Sequence, residues 1–142
     1  MSDVLIDHLL NTAKTIAIVG ISNKPERDSY KVAEYLQKHG YRILAVNPLQ
    51  AGNSILGLQC YPTLAVAQQE TGLSIDIVDC FRKSEDIPAI LTDAMAVKAA
   101  ALWMQLGISN ETAAIEARAA GLEVVMDKCT KIEHKRLHNI VE

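Results

Sequence analysis

The stretch "IAIVGISNKPERDSYKVAEYLQKHGYRILAVNP", residues 16–48, carries the signals that decide the fold. It opens with a short apolar run, rich in β-branched side chains, that ends at Gly20, and such a run predicts a strand buried on both faces. A helix is predicted to begin with Asp28 or Ser29 as its cap and to stop at the next glycine. The following apolar run predicts a second strand, which Pro48 ends because proline cannot extend a ladder.

The rest of the chain repeats this alternation. Short apolar runs predict further strands at 75–81, about 100–105 and 123–128, and helices are predicted at 63–71, after Ser84, at 110–120 and from 130 onward. Residues 50–58 are rich in Gly and Asn and predict a loop. This order predicts a Rossmann-like, doubly wound α/β fold, with a mainly parallel sheet of five to six strands and helices on both faces. We expect one domain over 1–142, with its core at about 12–137.

Composition narrows the classes of partner. The formal charge of -3 gives no general basic field, and aromatic residues make up only 4% of the chain, so a nucleic-acid partner is not expected. The three cysteines have no short spacing, which argues against a disulfide framework and a zinc site, and no metal is expected. The segment "MSDVLIDHLLNTAK" lacks the features of a secretory signal, and no apolar run is long enough to cross a membrane. These features lead us to expect a cytoplasmic protein.

Ligands of doubly wound sheets bind at the carboxyl ends of the strands, so the residues that follow each strand are the informative ones. A dinucleotide site requires G-x-G-x-x-G after the first strand and an acidic residue after the second. Here only Gly20 is present after the first strand, and the second ends in Asn47. An NAD(P)-dependent oxidoreductase is therefore the alternative rather than the leading hypothesis.

The loop after the first strand carries cations instead of glycines. Lys24 and Arg27 precede a predicted helix start at Ser29, where free backbone amides and the helix dipole favour anions. Arg27 could bind a phosphate through two parallel hydrogen bonds. The alternative is a solvated polar loop without a ligand. Its position after the first strand of such a sheet favours a phosphate-rich ligand.

Several motifs together resemble one family. The stretch quoted above, followed by "DIVDCFR", "WMQLG" and "GLEVVMDKCTKIEH", resembles the small stand-alone coenzyme A-binding proteins of bacteria. Their fold is similar to the N-terminal domain of the succinyl-coenzyme A synthetase α subunit. The resemblance covers roughly residues 12–137. It implies that the chain binds coenzyme A or an acyl-coenzyme A, with the loop after the first strand holding phosphates.

The resemblance also implies a set of contact residues at the strand ends. The implied cofactor-binding residues are Gly20, Ile21, Ser22, Arg27, Ser29, Asn47, Pro48, Phe81, Arg82, Trp103 and Gln105. No set of nucleophile, base and orienting residue stands out, so we expect a carrier, sensor or regulatory role rather than catalysis. A protein-interaction module without a nucleotide ligand is a further alternative.

Three residues at or near the strand ends have competing interpretations. Arg82 either faces the ligand or forms a surface ion pair. Trp103 either lines the cofactor site or is a core aromatic whose indole N–H is satisfied by a protein acceptor. Asp79 is expected to bond nearby backbone or the loop after Gly20, and a catalytic acid is the less favoured alternative.

Overall fold

The computed structural model describes residues 3–141, which form seven strands and six α-helices. The strands are β1 (Thr15–Val19), β2 (Arg42–Val46), β3 (Ser54–Ile55), β4 (Leu58–Tyr61), β5 (Ile77–Cys80), β6 (Ala101–Met104) and β7 (Glu123–Val125). The helices are α1 (Asp3–Thr12), α2 (Asp28–Lys38), α3 (Leu64–Thr71), α4 (Ile87–Ala96), α5 (Glu111–Ala119) and α6 (Thr130–Leu137). Short 3-10 turns occupy Pro48–Gln50 and Ser84–Asp86.

All the strands belong to one sheet in the order β3-β4-β2-β1-β5-β6-β7. Every neighbouring pair is parallel except β3 with β4, which is antiparallel. The α/β, doubly wound class is thereby confirmed. The sheet of residues 3–141 nevertheless has seven strands rather than five to six. The two strands that were not predicted, β3 and β4, form a short antiparallel hairpin over residues 54–61, which overlaps the loop predicted at 50–58.

Successive side chains of each strand point to opposite faces of the sheet, so apolar strand residues lie on both faces and helices cover both. On one face, Ile16 and Ile18 of β1 pack in a cluster with apolar residues of α1 and α2. On the other face, Ala17 belongs to a cluster with residues of α3, α4 and α5. Helix α1 joins the first cluster through Ile6 and Leu9, one turn apart. Among the described residues, no helix is both long and apolar enough to cross a membrane.

Two predicted helix caps shift in the structure. Arg27 occupies the N-cap position of α2 without a side-chain capping bond, so Asp28 and Ser29 already lie in the first turn of the helix. Ser84 lies in a 3-10 turn, and α4 begins at Ile87. The Ser84 hydroxyl accepts a hydrogen bond from the Ser109 N–H, 3.1 Å away. This contact of Ser84 joins residues that are 25 positions apart, which local patterns do not reveal.

The topology creates a crevice at the carboxyl edge of the sheet. Strand β1 pairs with β2 on one side and with β5 on the other. The chain therefore winds outward from β1 in one direction through β2, and then in the other through β5. The connection after β1 leads toward β2, and the connection after β5 leads toward β6, in the opposite direction across the sheet. Ligands of such sheets bind in the crevice between these two connections.

Candidate ligand-binding site

Gly20 lets two strand ends approach each other closely. Its φ is +90°, and its N–H donates a 2.8 Å hydrogen bond to the Val46 carbonyl. A Cβ at this position would lie 2.8 Å from Cδ of Arg82 and 2.9 Å from the carbonyl oxygen of Phe81. Both the backbone conformation and the available space therefore require glycine.

The loop after Gly20 folds back onto the start of α2. The Ser22 N–H donates to the Ser29 hydroxyl at 2.9 Å, and the Lys24 N–H donates to the Ser22 hydroxyl at 3.1 Å. The Arg27 N–H donates to the Lys24 carbonyl at 3.0 Å. Ser29 is buried while the Arg27 side chain is exposed. The serines thus fix the shape of the loop, and its cations remain exposed to solvent.

Asn47 fixes the neighbouring strand end. Its side-chain amide donates to the Ile21 carbonyl at 2.9 Å, and its side-chain oxygen accepts from the Leu49 N–H at 2.9 Å. Both ends of the amide are therefore used within the protein. Ile21 is completely buried in the core. These two residues shape the site, and for Ile21 only the backbone could meet a ligand.

A cavity of about 470 Å³ lies over this framework and is bordered by four cationic side chains and one carboxylate. The cations are Lys24, Arg27, Arg82 and Lys83. The carboxylate is Asp86, whose oxygen lies 3.5 Å from Nε of Arg82. Both side chains of this pair are more than a third exposed, so the pair is weak and leaves Arg82 available to an anion. We call this space the cationic cavity.

A second cavity of about 340 Å³ adjoins the cationic cavity and shares Gly20, Arg82 and Asp86 with it. Its other walls are largely apolar and include Pro48 and Leu64. A flat, weakly polar group would fit this lining better than a charged one. We call it the apolar cavity.

Phe81 borders the cationic cavity and is half-buried, but Trp103 does not border any of these spaces. Trp103 is 0% exposed, and its indole N–H donates to the Lys128 carbonyl at 2.8 Å. The core interpretation of Trp103 is the one that the geometry favours, and its ring does not line the cationic cavity as the resemblance implied. Trp103 packs in the buried cluster on the face of the sheet that α1 and α2 cover.

Gln105 belongs to a buried polar network beneath the strand ends. Its side-chain amide donates to Asp79 and to the Thr130 hydroxyl, and the Thr130 hydroxyl donates to the second Asp79 oxygen at 2.9 Å. The partners of Asp79 are thus the side chains of Gln105, directly after β6, and of Thr130 in α6, rather than backbone or the loop after Gly20. Complete burial raises the pKa of Asp79 to about 7, against the lowering effect of its two hydrogen-bond donors. The carboxyl is enclosed, which suits a structural role.

The sequence interpretation left several bordering residues out of the proposed set. The set implied by the resemblance omits Lys24 and Lys83, although both border the cationic cavity and Lys83 directly follows Arg82. Pro62 and Thr63 border the apolar cavity because they follow β4, which was not predicted. An adjacent pair of cations after a buried strand is a signal that could have identified Lys83.

No metal site accompanies these cavities in the part of the chain that the structure describes. No group of three or more His, Cys, Asp or Glu residues could hold an ion there. Cys129 and His134, which are five positions apart, do not form such a group. His134 instead bonds through Nδ1 with the Tyr35 hydroxyl at 2.7 Å.

Known proteins share both the sequence and the fold of this chain. Residues 14–135 match the family described as "CoA binding domain". The Bacillus subtilis (strain 168) protein YneT, described as uncharacterized, is 36% identical over 129 residues, which cover 91% of each chain. A solved Thermus thermophilus structure, "cell-free ID.343", has a TM-score of 0.88 at 34% identity and covers 96% of this chain and 99% of its own. A hypothetical protein from Pyrococcus horikoshii OT3 has a TM-score of 0.88 at 36% identity, with coverage of 97% and 93%.

Proposed function

The chain belongs to the CoA binding domain family, and on that basis we propose that it binds coenzyme A or an acyl derivative at the carboxyl edge of its sheet. The observation that carries this proposal is the cationic cavity over the Gly20 turn. It lies at the switch point of the strand order, where doubly wound folds bind their ligands.

The charges of the cavity suit the charged half of coenzyme A. That half carries a pyrophosphate and a 3′-phosphate, while the cavity offers four cations against one carboxylate. The guanidinium groups of Arg27 and Arg82 can each bind a phosphate through two hydrogen bonds. The exposed position of Arg27 directly before α2 adds the favourable dipole of that helix. Both arginines border the cationic cavity, so each is available to a phosphate held there.

The apolar cavity suits the adenine ring. It shares Gly20 and Arg82 with the cationic cavity, so a base in one can remain connected to phosphates in the other. Its walls of proline and aliphatic side chains offer a contact surface for a flat ring, with few fixed polar groups. Pro48 is the residue of the implied set that contributes here.

The proposed role is binding rather than catalysis. Of the described residues that border the cationic cavity, none forms a hydrogen-bonded pair of nucleophile and base. Ser22, the hydroxyl closest in sequence to the turn, accepts its hydrogen bond from a backbone N–H. A carrier, sensor or regulatory function fits such a site.

A thermal-shift comparison of coenzyme A, dephospho-coenzyme A, NAD and NADP at equal concentration tests the proposal. A ligand that binds only the folded state raises its stability by RT ln(1 + [L]/Kd). We expect the largest rise in melting temperature with coenzyme A and a smaller rise without the 3′-phosphate. A rise with NAD or NADP alone would instead assign the chain to the dinucleotide-dependent oxidoreductases. No rise with any of the four would favour an interaction module.

A further inference from the structure

His138 caps the carboxyl end of α6 and contacts the end of α1. Its Nε2 lies 3.0 Å from Oδ1 of Asn11, and the Asn11 side-chain amide donates to an Asp7 carboxylate oxygen at 2.8 Å. Nδ1 of His138 lies 2.9 Å from the carbonyl oxygen of His134, one turn earlier in α6. We call the three side chains His138, Asn11 and Asp7 the helix clasp.

The acceptors around His138 require a hydrogen on both of its ring nitrogens. A backbone carbonyl can only accept, so Nδ1 must donate to the His134 carbonyl. Asn11 turns its side-chain oxygen toward Nε2 because its NH2 group donates to the Asp7 carboxylate. The reversed amide would place that oxygen against the carboxylate, where neither group could donate. Nε2 must therefore donate as well, and a ring with two N–H groups is the imidazolium cation.

The ring stacked on His138 accommodates this charge. His134 is 7% exposed, and the centroids of the two rings lie 4.2 Å apart, with 22° between their planes. Nδ1 of His134 lies 2.7 Å from the Tyr35 hydroxyl, which can donate to it. The π face of a neutral ring attracts a neighbouring cation, whereas two charged rings at this distance would repel each other. The arrangement therefore suits a charged His138 on a neutral His134.

Other charges act on His138 from both directions. A cavity of about 600 Å³ lies beside it, and the titratable and charged groups that border this cavity with His138 are Lys14, His39, Tyr41, Arg42 and His134. The Asp7 carboxylate favours a cation at His138, and so does the negative end of the α6 dipole. Lys14 and Arg42 oppose it, but both are exposed, so solvent and salt screen their effect.

We propose that the helix clasp is a protonation-dependent contact, which holds the carboxyl end of α6 on α1 while His138 is an imidazolium and releases it when the ring is neutral. Histidine is the side chain whose charge ordinarily changes between about pH 5 and pH 8. A neutral ring has one N–H, so it keeps either the bond to the His134 carbonyl or the bond to Asn11, and not both. This device is independent of the proposed coenzyme A site.

The extra hydrogen bond determines the direction of the pH dependence. The stabilisation by the clasp is fully present at mildly acidic pH and is lost as the pH rises and His138 becomes neutral. Asp79 titrates in an overlapping range, since burial raises its pKa to about 7, so the test compares variants that all retain Asp79. The Arg136–Asp3 ion pair, at 2.9 Å, also joins α6 to α1. It keeps its charges across this range, because the hydrogen bond from Arg136 lowers the pKa of Asp3.

The test uses the full chain and two substitutions of the exposed Asn11. Asn11→Leu removes the acceptor of Nε2, and Asn11→Asp replaces it with a carboxylate. Hydrogen exchange of the α6 amides, corrected for the intrinsic exchange rate, measures the opening of this helix at about pH 5.5 and about pH 8.5. We expect opening in Asn11→Leu, relative to wild type, to fall about threefold to fivefold between the two pH values, as for one exposed charged contact. In Asn11→Asp, opening should rise more steeply with pH than in wild type.

Asp3→Asn is the matched control, because it weakens the other contact between the same two helices. Its effect on α6 opening should not vary with pH over this range. NMR of the imidazole nitrogens of the 15N-labelled wild type shows the protonation state without any substitution. At about pH 6 we expect two protonated nitrogens on His138 and one on His134.

Three outcomes would overturn the inference. The first is a ratio of opening between Asn11→Leu and wild type that does not change with pH. The second is an equal pH dependence of that ratio in Asp3→Asn, which would assign the effect to the helix contact in general. The third is a His138 ring that carries a single proton at about pH 6, or a doubly protonated His134 in its place.

Discussion

At the scale of single residues, Gly20 determines how closely the loop after β1 and the segment after β5 can approach. The positive φ of this residue is shared by other glycines of the chain, but its crowding is not. Gly121 has a nearly equal φ of +93°, and a Cβ there would meet nothing within 4 Å. A comparison of substitutions at the two positions therefore separates the cost of backbone strain from the cost of steric crowding.

Gly20→Ala should destabilise the protein more than Gly121→Ala. Both variants force a side chain into a left-handed conformation, at a cost of about 1–2 kcal/mol. Only the first must also move Phe81 and Arg82, which border the cationic cavity. Chemical denaturation measures the free energy of unfolding, and calorimetry measures coenzyme A affinity. Equal losses of stability in the two variants, with coenzyme A affinity intact, would show that the close approach is unimportant.

Arg27→Ala should weaken coenzyme A binding by about 1.5–3 kcal/mol, the usual value of a hydrogen bond to a charged group. The melting temperature of the unliganded protein should hardly change, since the Arg27 side chain is exposed and makes no capping bond to α2. Arg118→Ala, in an exposed position of α5, is the matched control. Isothermal titration of both variants gives the comparison. An unchanged affinity in the first would remove Arg27 from the site.

At the scale of secondary-structure elements, one buried network joins β5, β6 and α6. Asp79 lies in β5, Gln105 directly follows β6 and Thr130 begins α6, and the three side chains satisfy one another's hydrogen bonds. Thr130 is the first residue of α6, so the network fixes the start of that helix against the sheet. The position of Cys129, one residue earlier, depends on the same anchor.

The ionisation of Asp79 should make the stability of the protein fall as pH rises. Its pKa is raised from 3.8 to about 7, so the unfolded chain releases this proton at lower pH than the folded one. The free energy of unfolding therefore decreases between about pH 4 and pH 7 and levels off above, by up to about 4 kcal/mol. Asp79→Asn, which mimics the protonated acid, should remove this component. Urea denaturation at several pH values measures the free energy of unfolding of both proteins. If it changes with pH equally in wild type and variant, the assignment to Asp79 is wrong.

Sequence patterns identify the long elements of this fold but not the short ones. The five parallel strands with strong apolar runs were predictable because each is buried on both faces. Strands β3 and β4 were not, because β3 is two residues long and its partner lies across a turn. The residues after β4 were missed for the same reason, and with them part of the apolar cavity.

The site was predictable where it depends on chain order and not where it depends on side-chain direction. The ends of β1, β2 and β5 meet because the topology brings them together, and the sequence order implies that topology. Whether Trp103 points into a cavity or into the core depends on the register of β6 with its neighbours. The roles of Ser29 and Asn47 as internal hydrogen-bond partners likewise arise from contacts that no local pattern encodes.

At the scale of the whole molecule, a cationic cavity lies on a chain with a net charge of -3. The overall charge repels polyanions at long range, while the cavity attracts a small anion at short range. This combination suits the compact phosphorylated ligand that we propose.

Coenzyme A affinity should therefore fall with ionic strength, and more steeply than the affinity for dephospho-coenzyme A. Salt shortens the screening length from about 10 Å at 0.1 M to about 3 Å at 1 M, which weakens each exposed contact between phosphate and cation. Loss of the 3′-phosphate removes some of these contacts. Titrations of both ligands between low and high salt give the two slopes. Identical slopes would mean that the 3′-phosphate lies away from the cations.

The lengths of the outer strands have a consequence for association in concentrated solution. Of the sheet formed by residues 3–141, the outermost strands are β3, with two residues, and β7, with three. A sheet edge templates aggregation by offering a row of unpaired backbone groups to another chain, and such short strands offer too few. The protein should therefore resist strand-by-strand polymerisation in concentrated solution.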